Sequence, residues 1–333
     1  MDRRRVAVLG AGSWGTALAK HLADVGHEVR LWAHRAEHAQ AIQAERVNAR
    51  YLPNFELPDN LTATPDAALA LADADMVLSV VPSQVTRKVW TEAASALPAG
   101  VPILCASKGI ELGSLALMTE VLTDIVPGHP LGFLGGPSFA KEVAAHVPTA
   151  VVIGSEDAEM AKLAQATMAS DWMRSYVIQD VVGLEIGGAL KNVMAIACGC
   201  ADGLGLGANS RAAIITRGLA EMTRLATKMG ADPMTLAGLG GMGDLVLTCT
   251  VDLSRNRRVG LGLGKGKRLH EVLEDMGQVA EGVKTTESAC ALAAREGVEM
   301  PITEQMNLIL TRDKPVREVV LELMRRDLKH ERA

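Results

Sequence analysis

Gly187-Gly188-Ala189-Leu190-Lys191-Asn192-Val193-Met194-Ala195 sets one amine into an otherwise apolar helical stretch. Lys191 and Asn192 are the only strongly polar residues between Glu185 and Asp202. An ammonium in apolar surroundings loses solvation, so its pKa falls and it suits general acid–base work. A lysine at such a position can also snorkel out as a surface cation, and spacing alone does not separate the two. Gly187 and Gly188 lower helix propensity, which close approach by another element would explain.

Two further clusters carry chemistry. Gly240-Gly241-Met242-Gly243-Asp244 puts a carboxylate at the mouth of a glycine-rich turn. Read locally, Asp244 N-caps the following helix, and a site role is the second reading. Ser254-Arg255-Asn256-Arg257-Arg258 packs three arginines into five positions. Guanidinium and amide groups suit a phosphate monoester, and a solvated basic face is the plain alternative.

Gly10-Ala11-Gly12-Ser13-Trp14-Gly15 follows a strand and opens a helix, the context that gives a GxGxxG its meaning. Gly10 permits the tight turn, Gly12 admits a pyrophosphate to the backbone, and Gly15 lets helix and strand pack closely. The helix N-terminus then presents amides and a positive dipole to the phosphates. The second strand ends Trp32-Ala33-His34-Arg35, without the carboxylate that usually binds a ribose 2′-hydroxyl. Arg35 would meet a 2′-phosphate, which favours NADP(H). If Glu37 serves the ribose instead, NAD(H) is accepted.

The elements that must position these groups fall into two series. Val6–Leu9, Val29–Trp32, Met76–Val81, Pro102–Ala106, Leu131–Leu134 and Thr149–Ile153 read as strands. Helical stretches such as Thr16–Val25, Gln84–Leu97 and Leu115–Ile125 lie between them. This alternation predicts a parallel, doubly wound sheet. After Tyr176-Val177-Ile178 the strand signals stop. From Val182 the pattern is helical, with glycine-rich breaks expected at Gly203–Gly207, Gly238–Gly243 and Gly260–Gly266. The expected architecture is therefore a Rossmann-type domain over 1–180 and an all-helical substrate-binding and catalytic domain over 181–333.

Composition narrows the function classes. The 333 residues are 48% hydrophobic and only 3% aromatic, so the core must be built from Ala, Leu and Val. A formal charge of −5 gives no general attraction to nucleic acid or an anionic membrane, so an anionic substrate needs a local basic site. The five cysteines form no CxxC pair, which points to reduced thiols in the cytoplasm and to no metal site. The longest near-uncharged helical run, Val193 to Ala201, stops at Asp202, short of a membrane span.

Taken together, the segments resemble the bacterial NAD(P)-dependent glycerol-3-phosphate dehydrogenase family. The similarity runs through Gly10-Ala11-Gly12-Ser13-Trp14-Gly15-Thr16-Ala17, Val80-Val81-Pro82-Ser83, Ser107-Lys108-Gly109 and Gly136-Pro137-Ser138-Phe139-Ala140. It continues through Leu190-Lys191-Asn192-Val193, Gly243-Asp244-Leu245, Ser254-Arg255-Asn256-Arg257 and Val279-Ala280-Glu281-Gly282, in the family's order. Gly135 stands where members often have serine. The resemblance implies that Lys191 exchanges the proton between ketone and alcohol. It implies that Lys108, Gly136, Ser138, Lys191, Asp244, Ser254, Arg255 and Asn256 line a small phosphorylated triose. It also implies nucleotide contacts from Ser13, Trp14, His34, Arg35, Lys108, Ala140, Arg255, Val279 and Glu281. The reaction implied is reversible reduction of dihydroxyacetone phosphate to sn-glycerol 3-phosphate for glycerophospholipid synthesis, with a homodimer allowed.

Two other functions fit parts of this pattern. A β-hydroxyacid dehydrogenase also joins a Rossmann domain to a helical domain with a catalytic lysine, but takes a carboxylate where the Ser254-Arg255-Asn256 cluster suits a phosphate. A silent NADPH-binding sensor would have no use for a proton-transfer lysine.

Overall fold

The computed structural model describes residues 3–276, 280–327 and 330. Ten strands are found among them: β1 (Arg5–Leu9), β2 (Glu28–Trp32), β3 (Val47–Asn48), β4 (Leu52–Glu56), β5 (Leu61–Thr64), β6 (Met76–Ser79), β7 (Ile103–Cys105), β8 (Leu131–Gly135), β9 (Thr149–Gly154) and β10 (Met173–Ile178). Eight of them form one sheet in the order β10-β9-β8-β7-β6-β1-β2-β5. The apolar runs are its interior strands: Val6 to Leu9 and all of β6 are buried, as a sheet covered on both faces requires. Strand order reverses at β1 and β6, so the loops after these strands open a crevice at the carboxyl edge, where doubly wound sheets bind ligands.

The sheet is mixed rather than wholly parallel. β8 and β9 run antiparallel, while β9 and β10 are parallel to each other. The connection from Gly135 to Thr149 carries only the five-residue helix Ala140–Ala144 and turns back at the carboxyl edge. That helix buries Val143 and Ala144 instead of crossing a sheet face to the other end. The hairpin β3–β4 and the strand β5 were not expected from the sequence, where weak alternation hides them.

From Val181 onward the described residues are helical. The first of these helices, Val181–Gly203, has 23 residues and begins on an N-cap bond from Gly183 N–H to the Asp180 carboxylate (2.8 Å). By length and hydropathy it could cross a membrane, but 89% of its most apolar window is buried inside the protein, so it is the core helix. The near-uncharged run Val193 to Ala201 is only its second half, because Lys191 and Asn192 interrupt the apolar pattern without ending the helix. Apolar on every side, it must be wrapped by other helices.

Glycine makes that wrapping tight. The helix Arg255–Gly264 crosses the core helix so closely that a Cβ at Gly260 would lie 1.9 Å from the Ile196 carbonyl oxygen. A Cβ at Gly199 would lie 2.1 Å from the Arg257 carbonyl oxygen, and Gly203 and Gly264 repeat the contact one turn on. The expected break at Gly260–Gly266 is thus a correction: residues to Gly264 continue the helix, because their glycines serve a backbone-to-backbone crossing. The break at Gly203–Gly207 does separate two helices, Val181–Gly203 and Gly207–Lys228.

The crossing predicts a sharp contrast between two glycines. Gly260→Ala forces two backbones apart and should cost about 3 kcal/mol, the upper end for overpacking, read as a clear fall in thermal midpoint. Gly12→Ala, whose Cβ meets nothing within 4 Å, should lower the midpoint far less, by no more than the loss of a favourable N-cap residue. Equal midpoints for the two variants would mean that the crossing does not hold the helical part together.

Candidate active site

The core helix brings Lys191 inside, at 7% exposure, which rules out the surface reading. Its Nζ donates to Asp244 Oδ1 at 2.5 Å. Lys108, in the loop after β7, donates to Asp244 Oδ2 at 2.7 Å. One carboxylate, itself 0% exposed, is therefore held between two ammonium groups from opposite halves of the chain. Burial works to raise the Asp244 pKa, but Lys108 and Lys191 outweigh it and hold the carboxyl below its ordinary range. Burial pulls Lys191 down to about 8, with Asp244 opposing and Lys108 reinforcing.

Asp244 is the first residue of the helix Asp244–Thr250, and its carboxylate does not N-cap that helix. The local reading of Asp244 as a cap is corrected: Gly243 occupies the cap position, and the carboxylate is taken by the lysines. Close approach explains Gly187, where a Cβ would lie 2.6 Å from the Gly240 carbonyl oxygen. Around Gly188 the nearest atoms belong to the Lys108 stem and Phe133, at ordinary contact. Small residues thus let the turn before Asp244 and the lysine from the sheet reach the core helix.

Ser254 N-caps the helix Arg255–Gly264, its Oγ accepting Arg257 N–H at 3.2 Å. Asn256 is buried, and its Oδ1 accepts Gly282 N–H at 3.1 Å. A Cβ at Gly282 would lie 2.8 Å from that oxygen and 2.9 Å from the Asn192 carbonyl oxygen, so Asn192 and Asn256 share one layer. Arg255 is exposed. Glu281 bonds the Ser83 backbone, and burial pushes its carboxyl up against the opposing pull of Arg255, Lys108 and Lys191. Asp244, Lys108, Lys191, Arg255, Asn256 and Glu281 are thereby brought into one electrostatic neighbourhood, next to the loop after β6.

On the nucleotide side, Gly10 has φ +123° and a Cβ there would meet the Val80 carbonyl oxygen at 2.6 Å. A Cβ at Gly15 would lie 1.8 Å from the Gly10 carbonyl oxygen. Gly12, by contrast, faces open space beside the start of the helix Ser13–Asp24. The Trp14 indole N–H is buried without a partner among the described residues. An open cradle, a helix N-terminus and an orphaned donor fit a dinucleotide pyrophosphate. His34 and Arg35 are exposed after β2, the His34 ring edge-on to Trp32 at 5.9 Å. Ala140 packs with Trp14 around Ala17 and Leu52.

Gly136 turns the chain after β8 with φ +103°, and Ser138 Oγ donates to the Gly136 carbonyl at 3.2 Å. A Cβ at the neighbouring Gly135 would lie 2.5 Å from Leu184 of the core helix, which accounts for glycine in a place where serine is common. Val279 lies outside the described residues.

Thr248, Asn48 and Tyr51 were not singled out from sequence. Thr248 Oγ donates to the Asp244 carbonyl at 2.6 Å, one turn on. Asn48, on the unforeseen hairpin, donates to the Ala11 carbonyl (3.0 Å) and to Thr16 Oγ1 (2.8 Å), and so clamps the glycine loop. Ser13 Oγ donates to the Tyr51 carbonyl of the same excursion at 2.7 Å. The i to i+4 spacing of Thr248 could have been read; nothing in sequence ties Asn48 to Ala11.

Residues 5–161 match the family described as NAD-dependent glycerol-3-phosphate dehydrogenase N-terminus, and residues 180–321 match its C-terminus. The chain belongs to this family. A glycerol-3-phosphate dehydrogenase [NAD(P)+] of Geobacter sp. (strain M21) is 54% identical over 98% of both chains. One from Geobacter metallireducens is 55% identical over 98% of this chain and 99% of its own. The crystal structure of glycerol-3-phosphate dehydrogenase from Coxiella burnetii superposes with a TM-score of 0.95 at 44% identity, covering 97% of this chain and 99% of that one. Membership excludes the β-hydroxyacid dehydrogenase reading, and the fold shared with these dehydrogenases is the one described above.

The buried lysine sets a pH dependence. With the Lys191 ammonium as the proposed acid for ketone reduction, the reductive kcat should fall as pH rises through about 8, while the oxidative kcat rises through the same region. Lys191→Met should lower kcat by about 10²–10⁴-fold and abolish this ionisation, with little change in thermal midpoint. Asp244→Asn removes the anion that supports the ammonium, so its remaining ionisation should move to lower pH. A Lys191→Met enzyme with an unaltered pH profile would show that another group supplies the proton.

Proposed function

We infer that this chain is an NAD(P)-dependent glycerol-3-phosphate dehydrogenase that reduces dihydroxyacetone phosphate to sn-glycerol 3-phosphate, reversibly, and supplies glycerophospholipid synthesis in the cytoplasm. The reading rests on one observation above all: a buried ammonium, its pKa drawn down to about 8, stands on a carboxylate shared with Lys108, with Arg255 and Lys191 both acting on Glu281 nearby. That arrangement offers a proton and a positive field to a small phosphorylated ketone.

In this proposal residues 1–180 hold the nucleotide and residues 181–333 hold the substrate and the acid. Gly10, Gly12, Ser13, Trp14 and Gly15 receive the pyrophosphate, with Ala140 against Trp14. His34 and Arg35 face the adenosine ribose, and Lys108, Arg255 and Glu281 meet the nicotinamide half. The bound nicotinamide supplies the hydride to C2 of the substrate. As charge grows on the C2 oxygen, Lys191 stabilises it and then transfers one proton from Nζ, leaving a neutral amine to be recharged from solvent. Asp244 keeps Lys191 charged before the transfer and orients it. Lys108, on the other carboxylate oxygen, fixes Asp244 and adds positive field. The phosphate lies at the start of the helix Arg255–Gly264, against Arg255, Asn256 and the Ser254 hydroxyl, whose own proton remains free to donate. Gly136 and Ser138 close the site from the sheet side.

Exposed Arg35, with no ion pair among the described residues, favours NADPH over NADH because it offers a free guanidinium to a 2′-phosphate.

Two measurements test these assignments. Dihydroxyacetone phosphate reduction should be readily measured, and Arg255→Ala should weaken it by about 10–100-fold, the scale of one lost charge-assisted hydrogen bond. With saturating nucleotide, unphosphorylated dihydroxyacetone should be almost unaffected; equal losses on both would remove Arg255 from the phosphate. For the cofactor, Arg35→Asp should shift the ratio of kcat/KM from NADPH toward NADH, and a ratio that stays fixed would place the 2′-phosphate elsewhere.

A further inference from the structure

Ser254-Arg255-Asn256-Arg257-Arg258 carries three arginines, and the proposed reaction uses Arg255 alone. The structure separates them: Arg255 and Arg258 are exposed, and Arg257 is buried at 7% exposure. The Arg257 guanidinium is committed to two carboxylates. Its Nε and Nη2 donate to Asp202 Oδ2 at 3.1 and 2.6 Å, and its Nη1 donates to Asp252. Asp202 lies in the last turn of the helix that carries Lys191. Its other oxygen accepts Arg211 Nε and Nη2 at 3.0 and 2.7 Å, from the helix Gly207–Lys228. Asp202 is thus clamped on both oxygens.

Arg257 is also tied through its backbone, since its N–H donates to Ser254 Oγ and its carbonyl sits against Gly199. The residue therefore fixes the first turn of the helix Arg255–Gly264 from both sides. Lys191 and Asp202 are separated along one continuous helix by about 16 Å of rise, so proton donor and arginine anchor are referenced to the same rigid element. An apolar contact could hold two helices together as firmly as this ion pair. It would not supply a planar guanidinium fork whose Nε and Nη2 converge on one Asp202 oxygen while Nη1 reaches Asp252, and these fixed directions set rotation as well as distance.

We propose that the buried Arg257–Asp202 pair is a positioning element for the substrate phosphate: it locks the first turn of the helix Arg255–Gly264 onto the Lys191 helix, so that Arg255 and Asn256 are held at one distance from the proton donor. This rests on the reading that Arg255 and Asn256 receive the phosphate. Arg257 itself touches neither substrate nor nucleotide.

Arg257→Lys keeps the charge and loses the fork; Asp202→Asn keeps the shape and loses the anion. With saturating NADPH, each should raise KM for dihydroxyacetone phosphate by about tenfold or more, the scale of a displaced charge-assisted contact. Saturated kcat and the kcat/KM for dihydroxyacetone should stay within about threefold of wild type, below the scale of one net hydrogen bond. Arg257→Ala should regain part of its affinity for the phosphorylated ketone in millimolar guanidinium, and none in urea. An unchanged KM in a folded variant overturns the proposal, and so does an equal fall on both ketones, which marks a general structural role. Arg255→Ala run alongside separates the two readings. If it too leaves the preference for the phosphorylated ketone intact, the phosphate assignment has failed; if it alone destroys that preference, only the positioning role has failed. Should Arg257→Lys not fold, Asp202→Asn decides, and failure of both to fold assigns the pair to stability and overturns the proposal.

Discussion

One carboxylate organises this molecule. Asp244 is wholly buried, and its two oxygens are taken by Lys191 from the core helix and Lys108 from the sheet. Removing three charges from water is unfavourable, and a buried ion pair is poor evidence for stability in itself. The arrangement has a different use. Two cations against one anion leave a local surplus of positive charge in a chain whose formal charge is −5. An anionic substrate is thereby offered a local positive field that the net charge does not provide. The same balance keeps Lys191 near its titration point: burial lowers its pKa and Asp244 limits the fall.

Steric constraint does the rest of the positioning. Lys191 can reach Asp244 only if the turn before Asp244 approaches the core helix, and Gly187 lies where a side chain would strike the Gly240 carbonyl. The helix that begins at Arg255 comes equally close through Gly199, Gly203, Gly260 and Gly264. A core of Ala, Leu and Val with few aromatics suits this design, because small side chains let helices pack backbone to backbone. Two buried acids brace the same assembly. Glu185 accepts the Thr119 N–H and hydroxyl from the sheet half, and Glu221 accepts the Ile302 and Thr303 N–H groups at the start of the helix Pro301–Arg312. Burial raises both carboxyls to about 7.

The buried ammonium also separates a dehydrogenase from a protein that only binds nucleotide. A sensor that only binds nucleotide has no physical need to bury an ammonium on a shared carboxylate. Family membership, and not the capped helix start with its arginine, separates this site from one for a carboxylate-bearing hydroxy acid, since guanidinium and helix N-terminal amides bind carboxylate as well as phosphate. Asn256 Oδ1 accepts Gly282 N–H, which fixes the orientation of its side-chain amide.

What the sequence determined by itself was whatever is encoded over short spans. Apolar runs located the buried strands, because a strand covered on both faces has no polar side to show. The GxGxxG was legible because turn, cradle and packing contact are all set by six adjacent residues. The onset of helix after Ile178 was legible as a change of period. Tertiary structure alone decided the rest. Whether Lys191 was buried depended on a carboxylate 53 positions away, so its own neighbours left the matter even. Asp244 resembled a helix cap because the partners that claim it come from distant segments. Gly260 to Gly264 resembled a break because glycine disfavours a helix locally, and only the opposing backbone at Ile196 and Cys200 shows why the helix needs it. The antiparallel turn from β8 to β9 was likewise invisible, since strand direction is fixed by where the connection packs and not by the strand's own residues.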